Sequence, residues 1–483
     1  MSVRSPAGPR SSGADRILSA DQCDALARRI FALARGPGET RVSIVSWWNG
    51  ELRWARNRVS LGGDRQNLSV FVRRFTDVGF GDAWTNQLDD GALEAAVRAA
   101  ERSAQLFGSV LEQPTTLPPL PPLDARQPPV WSDATFNLPT EARGDMVRAL
   151  IAPAEAKGML SAGFLEMHAG ARAQLSSRRP AGPYAPWDEP YVAWTQAECS
   201  MTVRNASGTA SGWAGVSSYD WSRIDAPGLA ARALEKCDAS QHPVALEPGR
   251  YTVILEPQAV ADLMENLVGT LRRADAGTWF LGYDDALKLS RQKLGLKVVD
   301  ERITISHDAM DPRLGILNEP GMDMGPVTWI DHGVLTNLGD WRGFAVAALG
   351  RNLGTRLPTG YRMTGGETSI SEMIRTTRRG LLVTRLSGVG LPLDPTLVEE
   401  GFTRDGLWLI ENGRITKAVK NFGFTESPLF VLNNLEQLGE PVPVYRTVWD
   451  ALELMPSLDQ LTPAIVPPLK AHDFSFTSLI DAI

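Results

Sequence analysis

The chain has 483 residues, 43% hydrophobic and 22% charged, which gives enough apolar surface for two to four domains with proper cores and excludes a disordered or fibrous chain. A formal charge of −7 and a pI near 5.5, with no basic face evident, exclude a nucleic acid as the main partner. Cys23, Cys199 and Cys237 are far apart and form no Cys-x-x-Cys pair, so neither a disulfide framework nor a cysteine zinc site is supported, and a reducing cytoplasm is the natural compartment.

Residues 1–16 lack the apolar core of a signal peptide, and their Ser, Gly, Pro and Arg content reads as an unstructured tail. No apolar run reaches the roughly eighteen residues of a membrane span. A first α/β unit follows over 17–110. Ala25, Leu26, Ile30, Phe31 and Leu33 give Asp21 to Ala34 an apolar side and predict a helix, stopped at Gly36-Pro37-Gly38. Arg41 to Trp48 and Glu51 to Asn57 read as strands joined by a tight turn at Asn49-Gly50, because Asn-Gly supplies two positive-φ positions. Strands at Asn67–Arg74 and Val78–Trp84 continue the sheet, and a helix over Asp89–Gln105 packs Leu93, Ala96, Val97, Ala100 and Ala104 inward.

Seven prolines between Pro114 and Pro129 forbid helix, so 111–133 reads as an extended connector. The second α/β unit, 134–240, has a helix over Glu141–Ala156 and strands at Met159–His168 and Ala171–Leu175. A further strand pair covers Tyr191–Val203 and Gly208–Val216, and a helix covers Pro227–Cys237. The order in the first unit, from Ser69 through Gly81 into the Leu93 helix, returns from Ser200 through Gly212 into the Leu229 helix. Convergent composition accounts for that echo as well as duplication does. Between the matched stretches, Ser176 to Tyr191 carries four prolines and three aromatics and reads as an exposed loop.

The third region, 241–483, opens with a buried strand, Tyr251 to Leu255, then Pro257 at an early helical position and a helix to about Leu271. The apolar stripe of that helix is Val260, Leu263, Met264, Leu267, Val268 and Leu271. Further on come a helix ending at Gly295, a strand at Ile303–His307, and hairpins over Val327–Leu338 and Gly406–Val419, the latter turning at Asn412-Gly413. Repeated hairpins with few helices between them predict a strongly curved, barrel-like sheet. The fold class is therefore α+β: a helix and antiparallel-sheet N-terminal region followed by a β-rich, barrel-like C-terminal domain.

The strand-Pro-helix passage resembles the C-terminal domain of the TldD/TldE (PmbA) metallopeptidase family, whose catalytic members carry Leu-Leu-His-Glu-Ala-Val-Gly-His on the helix. Leu263-Met264-Glu265-Asn266-Leu267-Val268-Gly269-Thr270 keeps the apolar frame and the glycine but has neither histidine nor the glutamate base. Arg379–Thr384 before Gly388-Val389-Gly390, the Ile410-Glu411-Asn412-Gly413 hairpin, and Leu432-Asn433-Asn434-Leu435, where the chain re-enters a helix, are also similar to the family. The resemblance spans about Arg41 to Leu438.

A hydrolytic zinc needs imidazoles to hold it and a carboxylate beside the bound water. Glu265 supplies at best one carboxylate, Asn266 is no base and Thr270 is a poor ligand, so Glu265, Asn266 and Thr270 mark a degenerate motif helix. His168, His242, His307, His332 and His472 form no paired motif, and no cysteine follows Cys237 to serve as the late cysteine ligand of catalytic relatives. The resemblance implies a TldE-like, non-catalytic subunit with no cofactor of its own, zinc in a TldD-like partner, and an unstructured peptide as substrate. The alternative is a self-sufficient homodimeric peptidase with another metal constellation.

Overall fold

The computed structural model describes residues 16–76, 79–107, 130–177, 189–271, 293–314, 323, 325–340, 342–356, 360–390, 396–445 and 463–480. The tail, most of the Pro-rich connector, the aromatic loop before Tyr191 and the helix expected before Gly295 lie outside these residues. No described helix is long and apolar enough to cross a membrane.

The N-terminal half is one antiparallel sheet. Its strands are β1 (Glu39–Ala55), β2 (Arg58–Phe75), β3 (Phe80–Thr85), β4 (Leu160–Ser176), β5 (Glu189–Arg204) and β6 (Ser211–Ser218), ordered β3-β2-β1-β4-β5-β6. The two α/β units thus meet along a single seam, β1 against β4, in register from Arg41↔Ser176 to Ala55↔Ala162. Helices α1 (Ala20–Leu33), α2 (Asp90–Phe107), α3 (Asp133–Phe136), α4 (Thr140–Ala156) and α5 (Ala226–Ala239) supply the apolar cover. α1 starts at a capping box, with Ser19 and Gln22 satisfying each other's backbone donors. Alternation sends Val42, Ile44, Leu165, Met167, Cys199 and Met201 into two helix-facing cores.

The sequence echo has a structural counterpart. A Cβ on Gly81 would overlap the backbone of Ala100, Ser103 and Ala104 in α2, and a Cβ on Gly212 would overlap Ala233 and Cys237 in α5. Each glycine lets its helix settle directly on the strand, at matching places in the two halves.

The turn expected at Asn49-Gly50 is not there: β1 runs straight through it, and the chain reverses at Arg56 and Asn57, with φ of 50° and 63°. Asn49 is fully buried and joins its amide to His168 Nδ1 at 2.8 Å, while Gly50 leaves room for the Arg143 guanidinium and the Trp48 ring. The dipeptide serves packing there. The break expected between His168 and Ala171 is likewise absent, since β4 is continuous.

The C-terminal half holds β7 (Gly249–Leu255), α6 (Pro257–Gly269), β8 (Ile305–His307), β9 (Val327–Asp331), β10 (Val334–Leu335), α7 (Arg342–Leu349), β11 (Tyr361–Met363), α8 (Ile370–Arg375) and β12 (Arg379–Ser387). After them come β13 (Glu399–Glu411), β14 (Arg414–Ala418), β15 (Phe422–Glu426), α9 (Pro428–Asn433), β16 (Leu435–Leu438), β17 (Val442–Pro443), β18 (Ala464–Val466) and β19 (Leu469–Leu479). Strands β12-β7-β19-β15-β13 follow one another, and β13 pairs back onto β12, closing a five-stranded barrel. β14 extends β13 through the expected turn at Asn412-Gly413, with φ of 51° and 77°. A smaller sheet, β10-β9-β8-β11-β18-β17, packs beside it around α6. The Leu432–Leu435 passage corrects the sequence reading: α9 ends there, capped at its start by Ser427, and the chain leaves the helix for β16.

Candidate functional site

Helix α6 follows β7 directly, with Pro257 in its first turn where a missing N–H costs nothing. Its spacing buries Val260, Leu263, Met264, Leu267 and Val268 in the largest apolar cluster of the chain. Asp262 anchors the helix to β12 by accepting the Leu386 N–H at 2.9 Å. The other side of α6 presents Glu265, Asn266 and Gly269, all half-buried, and a Cβ on Gly269 would meet nothing within 4 Å.

The three motif positions have separate commitments. Asn266 donates from Nδ2 to the Gly390 carbonyl at 3.0 Å, tying the helix to the turn after β12. Thr270 is buried, and its hydroxyl folds back onto Leu267 O at 2.7 Å. Glu265 sits near Glu399, the first residue of β13, which is 1% exposed and has the Asn266 side chain beside its carboxyl group. Burial pushes the Glu399 carboxyl up to about 9; the nearby Asn266 amide partly offsets this, and the Glu265 charge adds to it. Glu399 is therefore a neutral acid at pH 7.

These residues do not fit a catalytic zinc. One helix carboxylate, a neutral acid, an amide already engaged and a hydroxyl turned inward give neither a tetrahedral nitrogen and sulfur set nor a base for a bound water. Among the described residues no group of three or more His, Cys, Asp or Glu could hold a metal ion. Sequence reading had singled out Glu265, Asn266 and Thr270 but missed Glu399. Nothing local separates Glu399 from the exposed Glu400 beside it.

A second polar cluster lies on the sheet face away from the helices. Register sets Asn49 opposite His168, and Glu51 opposite Glu166, which in turn opposes Glu198. His168 Nε2 lies 3.4 Å from Glu166, Arg53 reaches Glu166 at 2.6 Å and Glu51 at 3.2 Å, and Arg65 reaches Glu51 at 3.2 Å. Burial alone would raise the Glu166 carboxyl, but His168 and Arg53 hold it below its ordinary value. The barrel region reaches this sheet through Tyr445, whose ring is 5.9 Å from Trp213 and 6.3 Å from Phe164. Arg385 of β12 stacks at 4.4 Å over the same Trp213 ring. No local pattern announces this cluster, because a pairing of strands more than a hundred residues apart creates it.

Comparison with known proteins gives a consistent result. Residues 248–478 match the model of the PmbA/TldA metallopeptidase C-terminal domain. No curated protein matches the chain in sequence. Solved structures similar to it include a putative modulator of a DNA gyrase from Thermotoga maritima, at TM-score 0.74 and 16% identity, covering 94% of this chain and 100% of that one. TldE from Thermococcus kodakarensis aligns at TM-score 0.71 and 16% identity, over 95% and 100% of the two chains. A putative modulator of DNA gyrase from Bacteroides thetaiotaomicron aligns at 0.70 and 17%, over 95% and 99%. With the barrel, the α6 frame and the match taken together, residues 248–478 form a PmbA/TldD-type C-terminal domain, and the chain shares the fold of these solved structures.

Proposed function

We propose that this chain is a non-catalytic, TldE/PmbA-like subunit of a heteromeric zinc metallopeptidase that acts on unfolded peptides, in peptide maturation or proteolysis. The observation that carries the reading is α6: the apolar frame of the family motif is kept, while Asn266 and Thr270 are bonded to main-chain carbonyls where the base and one ligand would stand. The zinc and the catalytic glutamate belong to a TldD-like partner, and this chain contributes walls and main-chain hydrogen bonds to the peptide path. Three separate buried thiols suit a reducing cytoplasm, which is the proposed compartment.

The test is to mix this protein with a TldD-like chain and assay an unstructured peptide, alongside each chain alone. Cleavage by the mixture only is expected, nearly unchanged by Glu265→Ala here and abolished by replacing the partner's motif glutamate. The isolated chain should keep well under one zinc after dialysis against a weak chelator. Chelator-sensitive cleavage by this chain alone, stopped by Glu265→Ala, would establish the homodimeric enzyme instead.

A further inference from the structure

The internal symmetry of the N-terminal sheet exposes a difference between its two halves. β3 pairs with β2 only over Val70–Phe75, leaving the outer edge of Arg58–Ser69 without a strand among the described residues. In the other half, β6 pairs with β5 over Ala197–Arg204, and an extended segment at Val130–Ser132 lies on the edge before it. Thr195 donates its N–H to Val130 O at 2.9 Å, and Ser132 donates its N–H to Thr195 Oγ1 at 2.9 Å. The spacing that matches Ser69 to Ser200 and Gly81 to Gly212 matches Asp64 to Thr195. Among the described residues, the edge that is covered in one half is unpaired at the corresponding place in the other.

The open edge suits a main-chain guest. Residues 58–67 are all exposed, Val59 and Leu61 half so or more, and Gly62-Gly63 removes side chains from the middle of the run. A Cβ on Gly63 would meet nothing within 4 Å. An edge strand offers a row of N–H and C=O groups at the 4.8 Å strand spacing, roughly, to any extended chain. At one end stands the Arg56-Asn57-Arg58 turn. Its two exposed arginines make no ion pair or hydrogen bond among the described residues, in contrast to Arg53 and Arg65, which are paired with glutamates. The free charge there is positive.

We propose that the β2 edge, Arg58–Ser69, receives an extended acidic peptide as an added antiparallel or parallel strand, with its carboxylates at the Arg56 and Arg58 end. Main-chain bonds give the affinity and the arginine pair selects the charge. The choice of a peptide as occupant rests on the function proposed above; the lack of a paired strand there among the described residues does not.

The full chain, without any partner, is titrated by fluorescence anisotropy with three labelled unstructured peptides: a Glu/Ala/Val sequence, the same sequence with Lys for Glu, and the acidic sequence N-methylated at alternate residues. The acidic peptide should bind at least tenfold more tightly than the other two, and Arg56→Glu with Arg58→Glu should reverse the charge preference. Circular dichroism on that variant checks that the sheet is intact. Equal binding of the N-methylated peptide, an unchanged preference in the variant, or self-association through the edge in place of peptide binding would overturn the proposal. Binding here with no cleavage by the partnered complex would remove the proposed function and leave this inference standing. Cleavage by the complex without binding at this edge would do the reverse.

Discussion

The N-terminal sheet and the C-terminal barrel both bury carboxylates, and the central acid of each is held differently. In the sheet, strand register brings Glu166 against Arg53 and His168, which keep it charged, beside the Asn49–His168 pair. In the barrel, no cation among the described residues pairs with Glu399, and burial beside Asn266 and Glu265 keeps its proton on. Register can line up complementary charges across long strands, whereas an acid enclosed without a cation is stabilised by neutralisation. The buried acid also stands beside the motif helix, next to Asn266 and Glu265.

The largest expected effect sharpens the contrast from the barrel side. Leu267, 3% exposed in the α6 core, becomes an unpaired buried charge on substitution to Asp, at a cost of about 3–5 kcal/mol. Proteolysis and tryptophan fluorescence should show the C-terminal domain unfolding while residues 17–240 stay protected; an unchanged melting temperature would mean that this face of α6 is exposed.

From the sheet side, Gly81→Ala and Gly212→Ala each push a Cβ into helix backbone, which cannot yield as a side-chain tip does. Each should destabilise by about 2–4 kcal/mol. Similar losses at the two sites, additive in the double variant, would mark the halves as equivalent; a loss at one alone would break the symmetry.

The smallest effect has a sign opposite to most core changes. The folded-state Glu399 carboxyl is raised to about 9, so the native chain holds a proton there that the unfolded chain releases above about 4.5. Its contribution is present at acid pH and is lost as pH climbs through that window. Glu399→Gln keeps the shape without the ionisation, and should raise stability by about 1–3 kcal/mol at pH 8 and by little at pH 4.5. Melting temperatures across that range read the difference. For His307, burial and the nearby Arg356 lower the ring to about 4, so its contribution runs the other way, present above about 6.5 and lost as pH falls toward 4.

Much of this architecture was legible in the residues, and the failures have a common cause. The α6 stripe, the Asn412-Gly413 turn and the curved C-terminal sheet follow from periodicity and turn chemistry, which are local. Asn49-Gly50 carries the same local signal as Asn412-Gly413 and does the opposite, because Arg143 and Trp48 need the space above Gly50 and His168 needs the Asn49 amide. Glu399 was invisible for a related reason. Its character comes from burial in the folded chain, beside α6 residues more than a hundred positions earlier, while its neighbour Glu400, identical in the sequence, faces water.

Barrel closure also sets a timetable. β7 ends at Leu255, but the strands that flank it begin at Arg379 and Leu469. A ribosome adding roughly 5–20 residues per second takes on the order of 10–40 s to pass from the first of these points to the last. Throughout that interval β7 has a bare edge toward β19, while every strand of the N-terminal sheet has already emerged. The nascent chain therefore carries a finished sheet next to an unfinished barrel, and the interval in which the α6 core is open to the wrong partner is fixed by the position of β19 in the sequence.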